Sequence, residues 1–410
     1  MKKLVSLLLV LLMCVGVCAS FAACGSDDNK GNSYENIKVG VILLHDENST
    51  YDLNFMNGVE SAVAALGMSK EQIIYKRNIP ESDKAYEAAC DLADLGCQIV
   101  FADSFGHEEY ILKAAKEYPE VQFCHATGTT AHTAGVVNFH NAFASIYEGR
   151  YLAGVAAGLK LNEMIESGKI TADQAVMGYV GAFTYAEVIS GYTSFYLGAK
   201  SVCPSVTMKV KFTGSWYNET REKSYALELI NSGCVLISQH ADSMGAPSVC
   251  QEKLVPNVSY NGSTLADCPD SFIVSSRIDW APYFTYIINC IKDNKAIDTD
   301  WTGSIATGSV VLTDINTAVA AAGTADAIAA KKALLENGTL KVFDTANFTV
   351  GGKPVTEAIV KDGGDNSVIK TAGGITFFDE SGFRSAPYFE LRIDGITLIN
   401  EVYDPSQVTD

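Results

Sequence analysis

The strongest constraint on the fold is an alternation of short apolar runs with amphipathic segments, which occurs twice. Ile37–Leu44 (IKVGVILL) reads as a buried strand and Phe55–Leu66 as a helix. Gln72–Lys76 reads as a strand, and Asp83–Leu95 as a helix with Ser82 as its N-cap and Gly96 as its stop. Gln98–Phe101 and Val121–His125 are further strands, with a helix at Tyr110–Tyr118 between them. The pattern then restarts with strand Val176–Val180, helix Ala186–Lys200, strand Thr207–Phe212, helix Glu219–Asn231 and strand Cys234–Ser238. Strands of this length separated by helices predict parallel sheets with crossover helices, an α/β class. Two runs predict two doubly wound lobes. Such sheets take ligands outside the carboxyl ends of their strands.

That rule selects residues directly. His45-Asp46-Glu47, Asp103-Ser104-Phe105-Gly106, Ala182-Phe183, Ser215-Trp216-Tyr217 and Gln239-His240-Ala241-Asp242 all follow strands. The set is aromatic and polar with few basic groups. It suits a flat, uncharged ligand gripped by stacking and by carboxylate acceptors. Phe105 sits beside Gly106 in a polar turn, where a core phenylalanine is less common than a stacking one. Trp216 lies in a similar turn. Phe183 reads equally as core or site, and Trp280, at a helix start before Pro282, as stacking residue or hinge anchor. His240 and Asp242 read as ligand hydrogen-bonding groups; the competing readings are a general-acid/base pair and loop solvation. Asn141 and Glu148 contact ligand or brace the hinge, Arg150 is expected to pair with a carboxylate, and Trp301 to be structural.

The N-terminus bears on compartment. Lys2 and Lys3 precede an apolar stretch, Leu4 to Val17, of signal-peptide length and short for a membrane span. It ends in Phe21-Ala22-Ala23-Cys24, small residues before a cysteine that resemble a bacterial lipobox, although Phe21 stands where leucine is usual. The resemblance implies cleavage after residue 23 and fatty acylation of Cys24; the alternative is an ordinary signal peptide cut near Ala23. Residues 24–36 form a tether, polar and without periodicity from Gly25 to Ser33. Loss of residues 1–23 removes two lysines and no acid, which takes the formal charge from −18 to −20. So acidic a surface repels phosphate backbones and argues against nucleic acid. Cys90, Cys97, Cys124, Cys203, Cys234, Cys250, Cys268 and Cys290 form no CxxC pair and no zinc spacing, and several sit in apolar runs as core residues.

KVGVILL, FADSFGHEEYILKAAKEYPEVQFCHATG (101–128), YEGRYLAGVAAGLK (147–160), GYVGAFTYAEVISGYTSFYLGAKSVCPSVTMKVKFTGSWYN (178–218), LISQHADS (236–243) and DWAPYFTYIINCI (279–291) resemble, in this order, the basic membrane protein family of solute-binding lipoproteins. The resemblance implies a type I periplasmic-binding-protein fold with a hinge, an ABC importer permease as partner, and a purine ligand, either nucleobase or nucleoside. It is nearest a branch with SFG, NSW-type and QHTDS-type motifs, for which adenine or a related purine is expected. It adds Tyr51 and Asn54 of the first loop, where Tyr51-Asp52-Leu53-Asn54-Phe55 keeps an aromatic but changes its neighbours. The expected ligand set is Tyr51, Asn54, Phe105, Asn141, Phe183, Trp216, His240, Asp242 and Trp280, with no cofactor, no metal and no catalytic residue. The expected lobes are 37–141 with 262–295, and 142–261 with 296–410, in a monomer. Leu340–Phe343 reads as a strand and 385–398 as an added β element.

A nucleoside-processing enzyme would need an activated nucleophile or a metal cluster. HExxH, GxSxG, a Walker loop and clustered aspartates of the calcium-holding type are all missing from the sequence. A receptor that presents ligand to a membrane sensor remains open, as does a sugar or amino-acid ligand, although an amino acid would want a basic group among the strand ends.

Overall fold

The computed structural model describes residues 33–404 and residue 407. The expected signal peptide, Cys24 and most of the expected tether lie outside the described residues. Two parallel sheets form the two lobes. The first has the order β11-β5-β4-β3-β1-β2, made of β1 (Val39–Ile42), β2 (Ile73–Lys76), β3 (Ile99–Ala102), β4 (Gln122–Ala126), β5 (Phe139–Ala144) and β11 (Asp300–Gly303). The second has the order β12-β10-β9-β8-β6-β7-β19, made of β6 (Val176–Gly181), β7 (Thr207–Phe212), β8 (Leu236–Gln239), β9 (Asn257–Tyr260), β10 (Phe272–Ile278), β12 (Val310–Leu312) and β19 (Ile396–Leu398). Every pairing in them is parallel except β10 with β12. The central strands β1, β3, β5, β8 and β9 are buried at every position, as strands covered by helices on both faces must be.

The first sheet carries α1 (Thr50–Ala65), α2 (Asp83–Asp94), α3 (Glu108–Glu117), the short α4 (Ala131–Ala134) and, returning late in the chain, α9 (Ala281–Asp293). The second carries α5 (Ile146–Glu166), α6 (Ala186–Lys200), α7 (Glu219–Asn231), α8 (Gly245–Lys253) and α10 (Thr324–Glu336). Ser82 caps α2 as expected, its side chain accepting from the Lys84 amide at 3.4 Å. The glycines of YLAGVAAGLK and of the following helix have a specific cause. A Cβ on Gly154 would collide with the Phe195 carbonyl, and one on Gly198 with the Tyr151 carbonyl. Helices α5 and α6 therefore pack backbone against backbone, which no side chain permits.

Three crossovers join the lobes: Ala144 to Ile146, Ile278 to Ala281, and Gly303 to Val310. The expected lobe boundaries need correction at the last two. Residues 272–278, assigned to the first lobe, pair with β9 and β12 in the second sheet, while 300–303, assigned to the second lobe, pair with β5 in the first. Each return strand satisfies the exposed edge of a sheet begun earlier. Leu340–Phe343 forms no strand and ends in a turn at Val342 and Phe343, and within 385–398 only Ile396–Leu398 is β. Three hairpins precede it: β13 (Thr349–Val350) with β14 (Lys353–Pro354), β15 (Ile359–Lys361) with β16 (Asp365–Ser367), and β17 (Ile369–Ala372) with β18 (Ile375–Phe378). The eight described cysteines are all free, and all but Cys90 are buried. No described helix is long and apolar enough to cross a membrane.

Candidate ligand site

The carboxyl ends of the two sheets face each other across one cavity of about 390 Å³, open edges included. From the first lobe come Leu44 and His45 after β1, Tyr51 at the start of α1, Ser104 and Phe105 after β3, and Thr127 after β4. From the second come Glu187 at the start of α6, Trp216 after β7, His240 and Asp242 after β8, and Tyr260 at the end of β9.

One wall is aromatic. Phe183 stacks on Tyr185 with centroids 5.0 Å apart and planes at 13°, and Trp216 meets Phe183 edge-on at 5.1 Å. Phe105, 40% exposed, reaches across from the first lobe to within 5.5 Å of Tyr185. Tyr51 is fixed by its hydroxyl, which donates to the Asp103 carbonyl at 2.8 Å, and by an edge contact with Phe55 at 4.9 Å. Tyr51 thus joins the cavity lining with its polar tip already used. The lobes also touch where the Thr50 hydroxyl donates to the Asp242 carbonyl at 3.4 Å and where His45 meets Tyr217 at 5.4 Å.

The other side is acidic. Asp242 is buried, and its carboxyl accepts from Asn261 Nδ2 at 3.4 Å. Burial pushes its pKa well above the usual carboxylate range, with the negative fields of Asp52, Glu222 and Glu187 adding to the effect. Asp52 and Asp103 lie together behind Tyr51. Burial, and then the neighbouring Asp52, raise Asp103, while contacts from His45 and Asp103 outweigh burial and hold Asp52 low. This set stacks flat rings and accepts hydrogen bonds. Among the described residues no cluster of His, Cys, Asp or Glu has the makings of a metal site. The one serine of the lining, Ser104, donates to Glu81 at 2.6 Å and is not backed by a histidine.

Of the expected residues, Tyr51, Phe105, Trp216, His240 and Asp242 line this cavity together. The others do not. Phe183 is buried behind Tyr185 and Trp216. Asn54 spans the lobes at the hinge, its Nδ2 donating to the Ile278 carbonyl at 2.5 Å. Asn141 is buried under Gly128, its Oδ1 accepting from the Ala131 amide at 2.8 Å. Trp280 is a core residue of the first lobe, stacked on Phe55 at 4.4 Å and edge-on to Phe101, Phe143 and Tyr283. Of the two readings of Trp280, packing is the correct one. Glu148 braces the hinge by accepting from the Ile305 amide at 2.8 Å. Among the described residues Arg150 has no carboxylate partner; it is fully buried against Tyr260 and Tyr179 and donates to the Gln239 carbonyl. Leu44, His45, Ser104, Thr127, Glu187 and Tyr260 were missed. His45 and Ser104 stood in the strand-end set, and Thr127 follows the expected strand Val121–His125. Tyr260 ends a strand that the sequence pattern did not reveal.

The comparisons with known proteins agree with this architecture. Residues 39–341 match the family model described as ABC transporter substrate-binding protein PnrA-like. The chain is 32% identical over 253 residues to a purine-binding protein of Brucella abortus (strain 2308), covering 61% of this chain and 67% of that one. It is 28% identical over 233 residues to a Haloferax volcanii protein whose name assigns it provisionally as an ABC transporter glucose-binding protein, covering 57% of this chain and 55% of that one. It thus spans about half the length of the second relative. Among solved structures, an ABC transporter solute-binding protein from Aeropyrum pernix K1 superposes with a TM-score of 0.62 at 15% identity, covering 75% of this chain and 93% of that one. One from Conexibacter woesei does so at 0.61 and 18%, covering 74% and 98%. Those identities carry the fold alone, which is the type I solute-binding fold. On the family match across most of its length, the chain belongs to the PnrA-like family of ABC transporter substrate-binding proteins, and it is a binding protein, not an enzyme.

Proposed function

We propose that the protein is a lipid-anchored extracytoplasmic receptor that closes on a purine, adenine or a purine nucleoside, and delivers it to an ABC importer permease. The observation that carries this reading is the cavity itself: Phe105, Trp216 and Tyr51 offer ring faces, while Asp242 and Glu187 offer hydrogen-bond acceptors. A purine base needs both, since its faces stack and its ring N–H and exocyclic amine need acceptors once water is excluded. The cavity presents no arginine or lysine side chain, which disfavours a ligand carboxylate or phosphate. The 32% identical purine-binding relative supports the same ligand class.

A sugar is the second reading, because aromatic faces with carboxylates also suit hydroxyl-rich rings and one relative bears a glucose-binding name. Titration calorimetry with adenine, adenosine, hypoxanthine and glucose separates the two. The purine reading expects a bound base or nucleoside and no heat with glucose; saturable glucose binding with silent purines would overturn it.

The anchor rests on Phe21-Ala22-Ala23-Cys24. Fatty-acid labelling should mark the wild type and not Cys24→Ala, which should remain unprocessed or leave the membrane fraction. Equal labelling of both would remove the anchor from this account.

A further inference from the structure

A chain of polar groups runs from the cavity lining into the interior of the second lobe. Arg150, on α5, is fully buried and has no ion-pair partner among the described residues. Its Nη2 donates to the Tyr179 hydroxyl and to the Gln239 carbonyl, the latter at 2.8 Å, and its guanidinium lies over the Tyr260 ring at 4.2 Å. The Tyr179 oxygen is 3.2 Å from His240 Nδ1, and His240 Nε2 is 3.2 Å from Glu187 Oε1. His240, Glu187 and Tyr260 line the cavity; Arg150 and Tyr179 do not.

The order of donors in this chain is forced from one end. A guanidinium has five N–H groups and no acceptor, so the Tyr179 oxygen must accept from Arg150. The single phenolic proton is then free to point at His240 Nδ1, which accepts it in the arrangement that leaves no proton of the chain unused. A neutral imidazole accepting at Nδ1 carries its proton on Nε2, and that proton goes to Glu187. Burial, with the nearby Arg150 charge against it, keeps His240 below its usual pKa despite Glu187, in line with a neutral ring. We propose that Arg150 and Tyr179 are positioning residues that lock His240 as an Nε2–H donor, and so hold Glu187 in the cavity as an acceptor for a ligand N–H or O–H.

An independent observation supports a purpose-built relay. Gly191 of α6 packs directly on it: a Cβ there would lie 2.8 Å from His240 Nδ1, 3.0 Å from its Cε1 and 3.5 Å from the Tyr179 oxygen. Any side chain at 191 would enter the space of the Tyr179–His240 bond. Among the described residues, the hydrogen bond from His240 is the one Glu187 accepts, and it is made at Oε1, which leaves Oε2 for a ligand donor. The relay also links the buried cation to the cavity carboxylate through Tyr179 and His240.

The effect on affinity rests on the purine reading of the site, whereas the tautomer does not. The ring ¹⁵N resonances of His240 in the ligand-free protein near pH 7 should show a protonated Nε2 and a bare Nδ1, and Tyr179→Phe should convert this single form to a mixture. Calorimetry with adenine then tests the consequence. Tyr179→Phe should weaken binding about 3- to 30-fold in the wild type and hardly at all in a Glu187→Gln background, the signature of two residues acting through one another. A wild-type His240 protonated at Nδ1 would overturn the inference, as would an unchanged tautomer in Tyr179→Phe or fully additive losses. Should adenine fail to bind the wild type, the purine reading falls, and the resonances alone decide the relay.

Discussion

At the scale of single residues, the site is a balance between ring faces and buried acids. Asp242 lines the cavity from the second lobe, and the purine reading makes it the acceptor for a ligand donor. Truncating it to Ala leaves that donor unpaired at about 1.5–3 kcal/mol, a loss on the order of tenfold to a hundredfold in adenine affinity, while Asp242→Asn should be milder, above all for hypoxanthine. Calorimetric titration checks both, and wild-type affinity in Asp242→Ala would place Asp242 outside the contact set. Gly128 makes a different demand. Its missing Cβ would fall on Asn141 Nδ2 and within 2.5 Å of Glu108 Oε1 and His125 Nδ1. Glu108 is the hub there, taking the amides of Thr129 and Thr130 at 2.8 and 2.9 Å. Gly128→Ala should therefore cost about 1–3 kcal/mol in urea denaturation; a neutral result would mean that this cluster is loosely packed. Strand-end logic found Phe105, Trp216, His240 and Asp242 because a parallel sheet presents its loops at one end. Trp280 stays open between stacking and packing in the sequence, because an indole near a proline at a helix start looks the same whether it faces a cleft or a core. Arg150 was misjudged for a related reason: the sequence shows a buried arginine's charge but not the tyrosine rings and carbonyl that stand in for a carboxylate.

At the scale of elements, the two alternating runs were legible because periodicity reports burial locally. The return strands β10, β11 and β12 were not, since which sheet they join is set by long-range edge pairing. The C-terminal segment was the least legible, yet it completes the second sheet by pairing Ile396–Leu398 with Met208–Val210. It is held on α6 by a buried carboxyl. Glu380 accepts from Ser190 Oγ at 2.5 Å, and burial pushes its pKa up to about 8. Glu148 at the hinge is raised for the same reason, to about 7. For both, the folded pKa lies above the unfolded one. Their stabilising effect is complete below the unfolded value near 4.3 and disappears as pH rises toward 7 and 8. Unfolding free energy should thus fall between pH 5 and pH 8, with each group contributing at most about 1.4 kcal/mol per pH unit. Glu380→Gln should flatten that fall. An unchanged pH slope in urea titrations would show that Glu380 is ionised in the folded protein.

At the scale of the whole molecule, the three crossovers allow the lobes to move about a hinge, and the contacts between Phe105 and Tyr185 and between Thr50 and Asp242 are those that opening would break. The chain has three tryptophans. Trp280 is locked in the first-lobe core and Trp301 packs on Tyr283 at 4.9 Å, which leaves Trp216 to report on the cavity. Ligand-induced changes in fluorescence should vanish largely in Trp216→Phe; a full response in that variant would place the reporting indole elsewhere.

The central claim is that this cavity holds a purine. Mass spectrometry of the small molecules released when the purified protein is mildly denatured tests it most directly, backed by calorimetry of the emptied protein with whatever is found. The account predicts a purine base or nucleoside that rebinds with one-to-one stoichiometry and loses affinity in Trp216→Phe and Asp242→Ala. A released sugar that rebinds through the same residues, with no response to any purine, would contradict it.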